Sequence, residues 1–154
     1  MRYEAKLIES INLQSGVVEI IAELLVTGIS FGVMSLFVLS IAWLSPKGQV
    51  GKFDYESLPG IRTPEPLTSR EAWIVAHKKT SAGFTLLAVY FAAAGVGMML
   101  AIASEVSMNV DATSLALLFL GFIWFIILMI IGSRAAARFN REQTPRQASQ
   151  DTPG

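Results

Sequence analysis

Three uncharged apolar runs decide what this chain can become. They cover 24–44, 80–103 and 113–133, with 21, 24 and 21 residues. At about 1.5 Å of rise per helical residue, each reaches roughly 30 Å or more, the thickness of a bilayer hydrocarbon core. The third run holds 13 Leu, Ile or Phe. At about −0.3 to −0.6 kcal/mol each, these give about −4 to −8 kcal/mol of insertion energy as an upper bound. Composition agrees: only 16% of the 154 residues are charged, and the mean hydropathy is +0.52. A soluble domain carries about 25% charged residues. A disordered chain is excluded and a soluble enzyme is disfavoured. The reading is an all-α membrane protein with three transmembrane helices. One domain occupies residues 1–142, and the polar, Pro-containing stretch 143–154 is read as a disordered tail. No cysteine is present, which removes disulfides, thiolate metal sites and a Cys nucleophile.

The flanks give orientation and depth. Glu19 and Glu23 precede the first run. A carboxylate at mid-membrane costs about 3 kcal/mol, so both are placed at the interface, near a helix N-terminus. Further upstream, Tyr3, Leu7, Ile8 and Ile11 recur at helical spacing. That pattern suggests a short amphipathic helix on the membrane surface, or an N-terminal extension of the first span. The 35-residue stretch 45–79 and the C-terminal tail carry ten of the twelve Lys and Arg. The positive-inside rule then sets the N-terminus outside and both basic segments in the cytoplasm. The overall charge of zero divides into −4 outside and +4 inside. Arg134, Arg138 and Arg141 continue the third span at helical spacing, placed to meet anionic headgroups.

The cytoplasmic loop carries the most specific pattern. Pro59-Gly60 suggests a tight turn with glycine at positive φ, and Pro64 and Pro66 suggest an extended chain after it. Arg62 stands between them as a fixed cation for a lipid phosphate, a carboxylate or backbone carbonyls. Thr68-x-x-Glu71 fits a capping box, with Ser69 as a competing N-cap. The helix it opens puts Trp73 and His77, four apart, on one face and continues into the second span. His77 is the one histidine, and a lone His without cysteines makes a poor metal site. No triad, phosphate-binding loop or zinc-protease helix is present. No cofactor or metal is expected.

Gly60-Ile61-Arg62-Thr63, then Glu71-Ala72-Trp73, then Ala82-Gly83 opening an apolar span, resembles the SdpI family of bacterial integral membrane proteins. The likeness covers residues 45–103 well and extends loosely to the third span. The family's founding type is longer, with six spans. The resemblance implies a bacterial plasma-membrane protein, and a role in toxin immunity or signalling through recognition of a protein or peptide. Its candidate binding residues are Gly60, Arg62, Thr63, Glu71, Trp73 and His77. The alternative function is a small accessory subunit of a larger membrane complex. Small residues at Ala93, Gly97 and Ala101 suit close helix packing, within the chain, in a homo-oligomer or against a membrane-protein partner. The bilayer is the other expected partner, and nucleic acid is not expected to be one.

Overall fold

The computed structural model describes the backbone of residues 2–104 and 109–150, and side chains over 14–104 and 109–144. Three long helices form it: α1 (Arg2–Leu44), α2 (Arg70–Ala103) and α3 (Val110–Gln150). Each contains a stretch long and apolar enough to cross a membrane. Between α1 and α2, residues 45–69 form a folded loop. It has 3-10 turns at Ser45–Lys47, Tyr55–Ser57 and Pro66–Thr68. A minimal hairpin, β1 (Gln49–Val50) and β2 (Phe53–Asp54), pairs Gln49 with Asp54 and Val50 with Phe53.

α2 is the central helix, packing against α1 on one side and α3 on the other. Phe31, Val38 and Ile41 of α1 meet Phe84, Leu87 and Phe91 of α2 in one core, which Leu128 of α3 completes. Among the described residues, two polar contacts cross the apolar layer. Ser35 donates to the Ala88 carbonyl at 2.9 Å, and Tyr90 donates to the Leu117 carbonyl at 2.8 Å. A polar group with no water nearby must find such a partner. The outward faces are apolar instead: Leu25, Val26 and Leu36 of α1, Leu86 and Val96 of α2, and Leu115 and Phe119 of α3 are all exposed. A surface of this kind suits contact with lipid or with another membrane helix.

The fold departs from several of these expectations. The upstream amphipathic segment is not a separate helix, because α1 runs unbroken from Arg2. Gly16 is the only glycine ahead of the apolar run, and one internal glycine costs only about 1 kcal/mol. The 35-residue loop loses its last ten residues to α2, which starts at Arg70. Ser69, not Thr68, caps that helix: its hydroxyl accepts the Ala72 N–H at 3.1 Å. Thr68 turns the other way and donates to the Glu65 carbonyl. Pro66 does not extend the chain but opens a 3-10 turn, with Glu65 already helical in φ and ψ. Proline suits a first helical position because its missing N–H would have no partner there. α3 continues to Gln150, past residue 143 where composition set the start of a disordered tail.

The small-residue stripe does not pack within the chain. Ala93 and Gly97 face outward, and a methyl group added to Gly97 would touch nothing. The packing contact is at Gly95, where an added Cβ would lie 2.8 Å from Phe31 Cβ. The helix turn dictates this: Phe84, Leu87, Phe91, Gly95, Met98 and Ile102 make the buried stripe of α2.

Candidate functional site

The G-I-R-T turn and the first turns of α2 build a buried cluster at the loop end of the bundle. The Ser69 cap fixes where α2 begins. Trp73 and His77 then fall one turn apart on its buried face, at 0% and 1% exposure. Their rings lie 4.1 Å apart at 30°. His77 Nδ1 donates to the Trp73 carbonyl at 2.8 Å, and its Nε2 accepts the Ile61 N–H at 2.9 Å. Only the neutral ring protonated on Nδ1 can do both.

Trp73 extends the cluster to α1. Its indole N–H donates to the Ser45 carbonyl at 2.9 Å, and the Ser45 hydroxyl donates to the Pro59 carbonyl. Tyr55 packs against the indole at 5.9 Å. Ile61 extends it to α3, where its side chain fills the notch left by Gly132: an added Cβ there would lie 2.2 Å from Ile61 Cδ1. Beside this notch Ala72, Ala76 and Ala136 are all fully buried, so α2 and α3 approach closely at this end.

Further contacts hold the loop down. Thr63 donates to Ser133 at 2.9 Å, and Ser133 donates to the Glu65 carboxylate at 2.8 Å. Asn140 donates to the Glu65 carbonyl at 3.1 Å. Arg62 takes the third of its possible partners: it donates to the carbonyls of Glu56 and Leu58 at 2.8 and 3.1 Å. Glycine 60 has a different role from the one expected. Positive φ occurs at Gly48 and Gly51, not at Gly60. Its hydrogen is needed for space, since a Cβ there would lie 2.2 Å from His77 Nε2.

Of the six motif residues, Gly60, Thr63, Trp73 and His77 are brought together as an internal clamp, and Arg62 braces the loop beside them. Glu71 stands apart. Its exposed side chain lines a recess of about 460 Å³ with Thr68, Ser69, Phe139, Asn140 and Gln143. Ile61 of the motif completes the clamp with Ser45, Gly132, Ser133 and Glu65, four residues that the sequence did not mark as part of a site. Gly132, a glycine near the end of an apolar run, was the one visible cue. Arg134, Arg138 and Arg141 are exposed. No cluster of metal-ligating side chains exists among the described residues.

Two groups of the clamp have shifted titration. His77 lies three residues ahead of the apolar run, and burial pushes its imidazole down to about 4, against the bond to Trp73 that raises it. Its own backbone N–H, then the Ser133 hydroxyl, hold the Glu65 carboxylate below its ordinary 4.5. The unfolded histidine binds its proton near 6.5, so His77 supports the fold above that pH and opposes it as pH falls toward 4. A loss of about 3 kcal/mol over this window is expected, since each unit is worth about 1.4 kcal/mol. Glu65 adds a second loss below its ordinary value. Thermal unfolding of the purified protein from pH 7 to 4 checks this, and His77→Gln is expected to flatten the upper part of the profile.

A family model matches residues 52–132, which takes in the clamp except Ser45 and Ser133, all of α2, and α3 as far as Gly132. The chain belongs to the SdpI/YfhL protein family. No curated protein and no solved structure matches it. It is therefore a membrane protein of the SdpI type, and that family is not a known enzyme family. The matched stretch begins after α1, so α1 is tied to the family's part of the fold through Trp73 and Ser45.

Proposed function

We propose that this SdpI-type protein is a non-enzymatic component of the bacterial plasma membrane that recognises a protein or peptide in immunity or signalling. The recess around Glu71 carries this reading. The clamp consumes the hydrogen-bonding groups of Trp73 and His77, and so leaves no free nucleophile–base pair there. The recess beside it presents a carboxylate, hydroxyls, amides and the ring of Phe139 on a rigid two-helix frame. A mixed polar rim around an aromatic suits a peptide segment with a basic side chain. The basic loop end faces the cytoplasm and the N-terminus lies outside, in keeping with the distribution of Lys and Arg.

Reversing the charge at Glu71 tests the recess. Glu71→Lys is expected to abolish the immunity or signalling phenotype, and crosslinking to the partner in native membranes, with membrane levels and helicity unchanged. Full phenotype and crosslinking in that variant would overturn the assignment. A second reading, an accessory subunit of a larger complex, is favoured by the outward stripe of Ala93 and Gly97 with Ala101. Purification in mild detergent separates the two: a stoichiometric large membrane partner that Gly97→Leu releases supports the second.

A further inference from the structure

A trough runs along α3 on a face that the clamp and the recess do not use. Phe122, Phe125, Met129, Ser133 and Arg134 line it, Thr63 overhangs it, and its volume is about 540 Å³. Phe122, Phe125, Met129 and Ser133 recur three or four residues apart, and Ile126, Ile130 and Arg134 follow at four-residue spacing beside them, so they form one stripe. From Phe122 to Arg134 the helix advances about 18 Å, slightly more than one leaflet of a hydrocarbon core about 30 Å thick. The chemistry changes along that length. The deep end is aromatic and aliphatic. The end beside the loop carries two hydroxyls and a guanidinium.

The hydroxyls are committed inward, Thr63 to Ser133 and Ser133 to Glu65. The Glu65 carboxylate therefore lies behind Ser133 and disfavours an anion there. Arg134 is exposed on the outer side and has no ion pair among the described residues. At the deep end a second furrow, of about 400 Å³, shares Phe122 and Phe125 and continues between α3 and α1. An apolar chain entering from the arginine thus meets only apolar side chains once it has passed Ser133.

We propose that this trough binds one anionic phospholipid, its phosphate on Arg134 and one acyl chain lying along α3 toward Phe122. Charge complementarity favours lipid over a second copy of the chain. A two-fold dimer would use the same patch twice and bring the stripe of Arg134 and Arg141 against itself. A phospholipid supplies the opposite charge and the apolar chain together.

Native mass spectrometry of the delipidated protein, titrated with long-chain phosphatidylglycerol and phosphatidylcholine, tests this. One phosphatidylglycerol per chain is expected, with a preference of about fivefold from one positive charge near the headgroup. Arg134→Gln should remove the preference, and Arg138→Gln should keep it. Short-chain phosphatidylglycerol and glycerol phosphate, on the unmodified protein, should bind at least tenfold more weakly. Equal binding of the two long-chain lipids, or a preference that survives Arg134→Gln, would overturn the proposal. Equal binding of glycerol phosphate would reduce the site to an anion site without a chain. Crosslinking of two copies through Met129→Cys would make the trough an interface, and the proposal would also fall. The chain-length arm needs no variant, so a misfolded Arg134→Gln leaves the proposal testable.

Discussion

Replacing Trp73 with alanine is expected to lower the unfolding free energy by about 3–5 kcal/mol, the range for deleting a large buried aromatic. The indole is fully buried and touches three parts of the chain. It stacks on His77 from the same helix, meets Tyr55 from the loop, and donates to Ser45 just beyond α1. Deletion leaves a void and removes one of the two donors on the Ser45 carbonyl, which keeps the Gly48 N–H. Trp73→Phe separates the two. It keeps most of the apolar contact but removes the N–H, and should cost about 0.5–1.5 kcal/mol for the one lost hydrogen bond. Denaturant titration in mixed micelles, followed by circular dichroism, measures both. Limited proteolysis adds a local readout. The loop should become cleavable at Lys52 in the alanine variant while the spans stay protected. A loss under about 1 kcal/mol for Trp73→Ala would mean that the indole is not the anchor between α1 and α2.

The membrane architecture was legible because it depends on a one-dimensional property. Twenty apolar residues in a row need a bilayer wherever their neighbours lie. The start of α2 was nearly as accessible, since Ser69 and Glu71 are local signals. What the sequence could not show was which face of α2 meets which partner. Ala93, Gly97 and Ala101 make a better small-residue pattern than the lone Gly95, yet Gly95 is the one against Phe31. Local spacing does not say which stripe turns inward. That choice depends on Phe31, Phe84 and Phe91, whose bulk must be buried somewhere between the helices.

The motif residues show a similar division. Their order and spacing were enough to identify the family, but a recognising surface was the wrong geometry for most of them. The four-residue spacing of Trp73 and His77 puts them on one helical face but does not say whether that face looks inward or outward. In the fold they are internal, since their polar atoms find Ser45, Ile61 and the Trp73 carbonyl instead of water. Those partners are separated by 28, 16 and 4 positions along the chain. Only the last is a spacing that local periodicity can reveal. The exposed, functionally available part of the motif is reduced to Glu71 and the outer side of Arg62.

Gly60→Ala tests the clamp at its tightest point, and its expected cost is about 3–5 kcal/mol. The added methyl would lie 2.2 Å from His77 Nε2, well inside van der Waals contact. The ring cannot swing away cheaply, because Nδ1 is bonded to the Trp73 carbonyl and one face is covered by the indole. If the turn retreats instead, the Ile61 N–H loses its acceptor, and Ile61 withdraws from the Gly132 notch. Overpacking costs about 1–3 kcal/mol and a stranded buried donor about 1–3 kcal/mol, so the two together exceed an ordinary glycine substitution. A double-mutant cycle assigns the cause. His77→Ala removes the ring, and in that background Gly60→Ala should cost less than about 1 kcal/mol, because the backbone at Gly60 lies outside the positive-φ region and accepts a side chain. Gly51→Ala gives the contrast, since its φ is +60° with open space around it, and any cost there is conformational. Equal costs for Gly60→Ala in both backgrounds would place the constraint in the turn itself, and the contact with His77 would then be incidental.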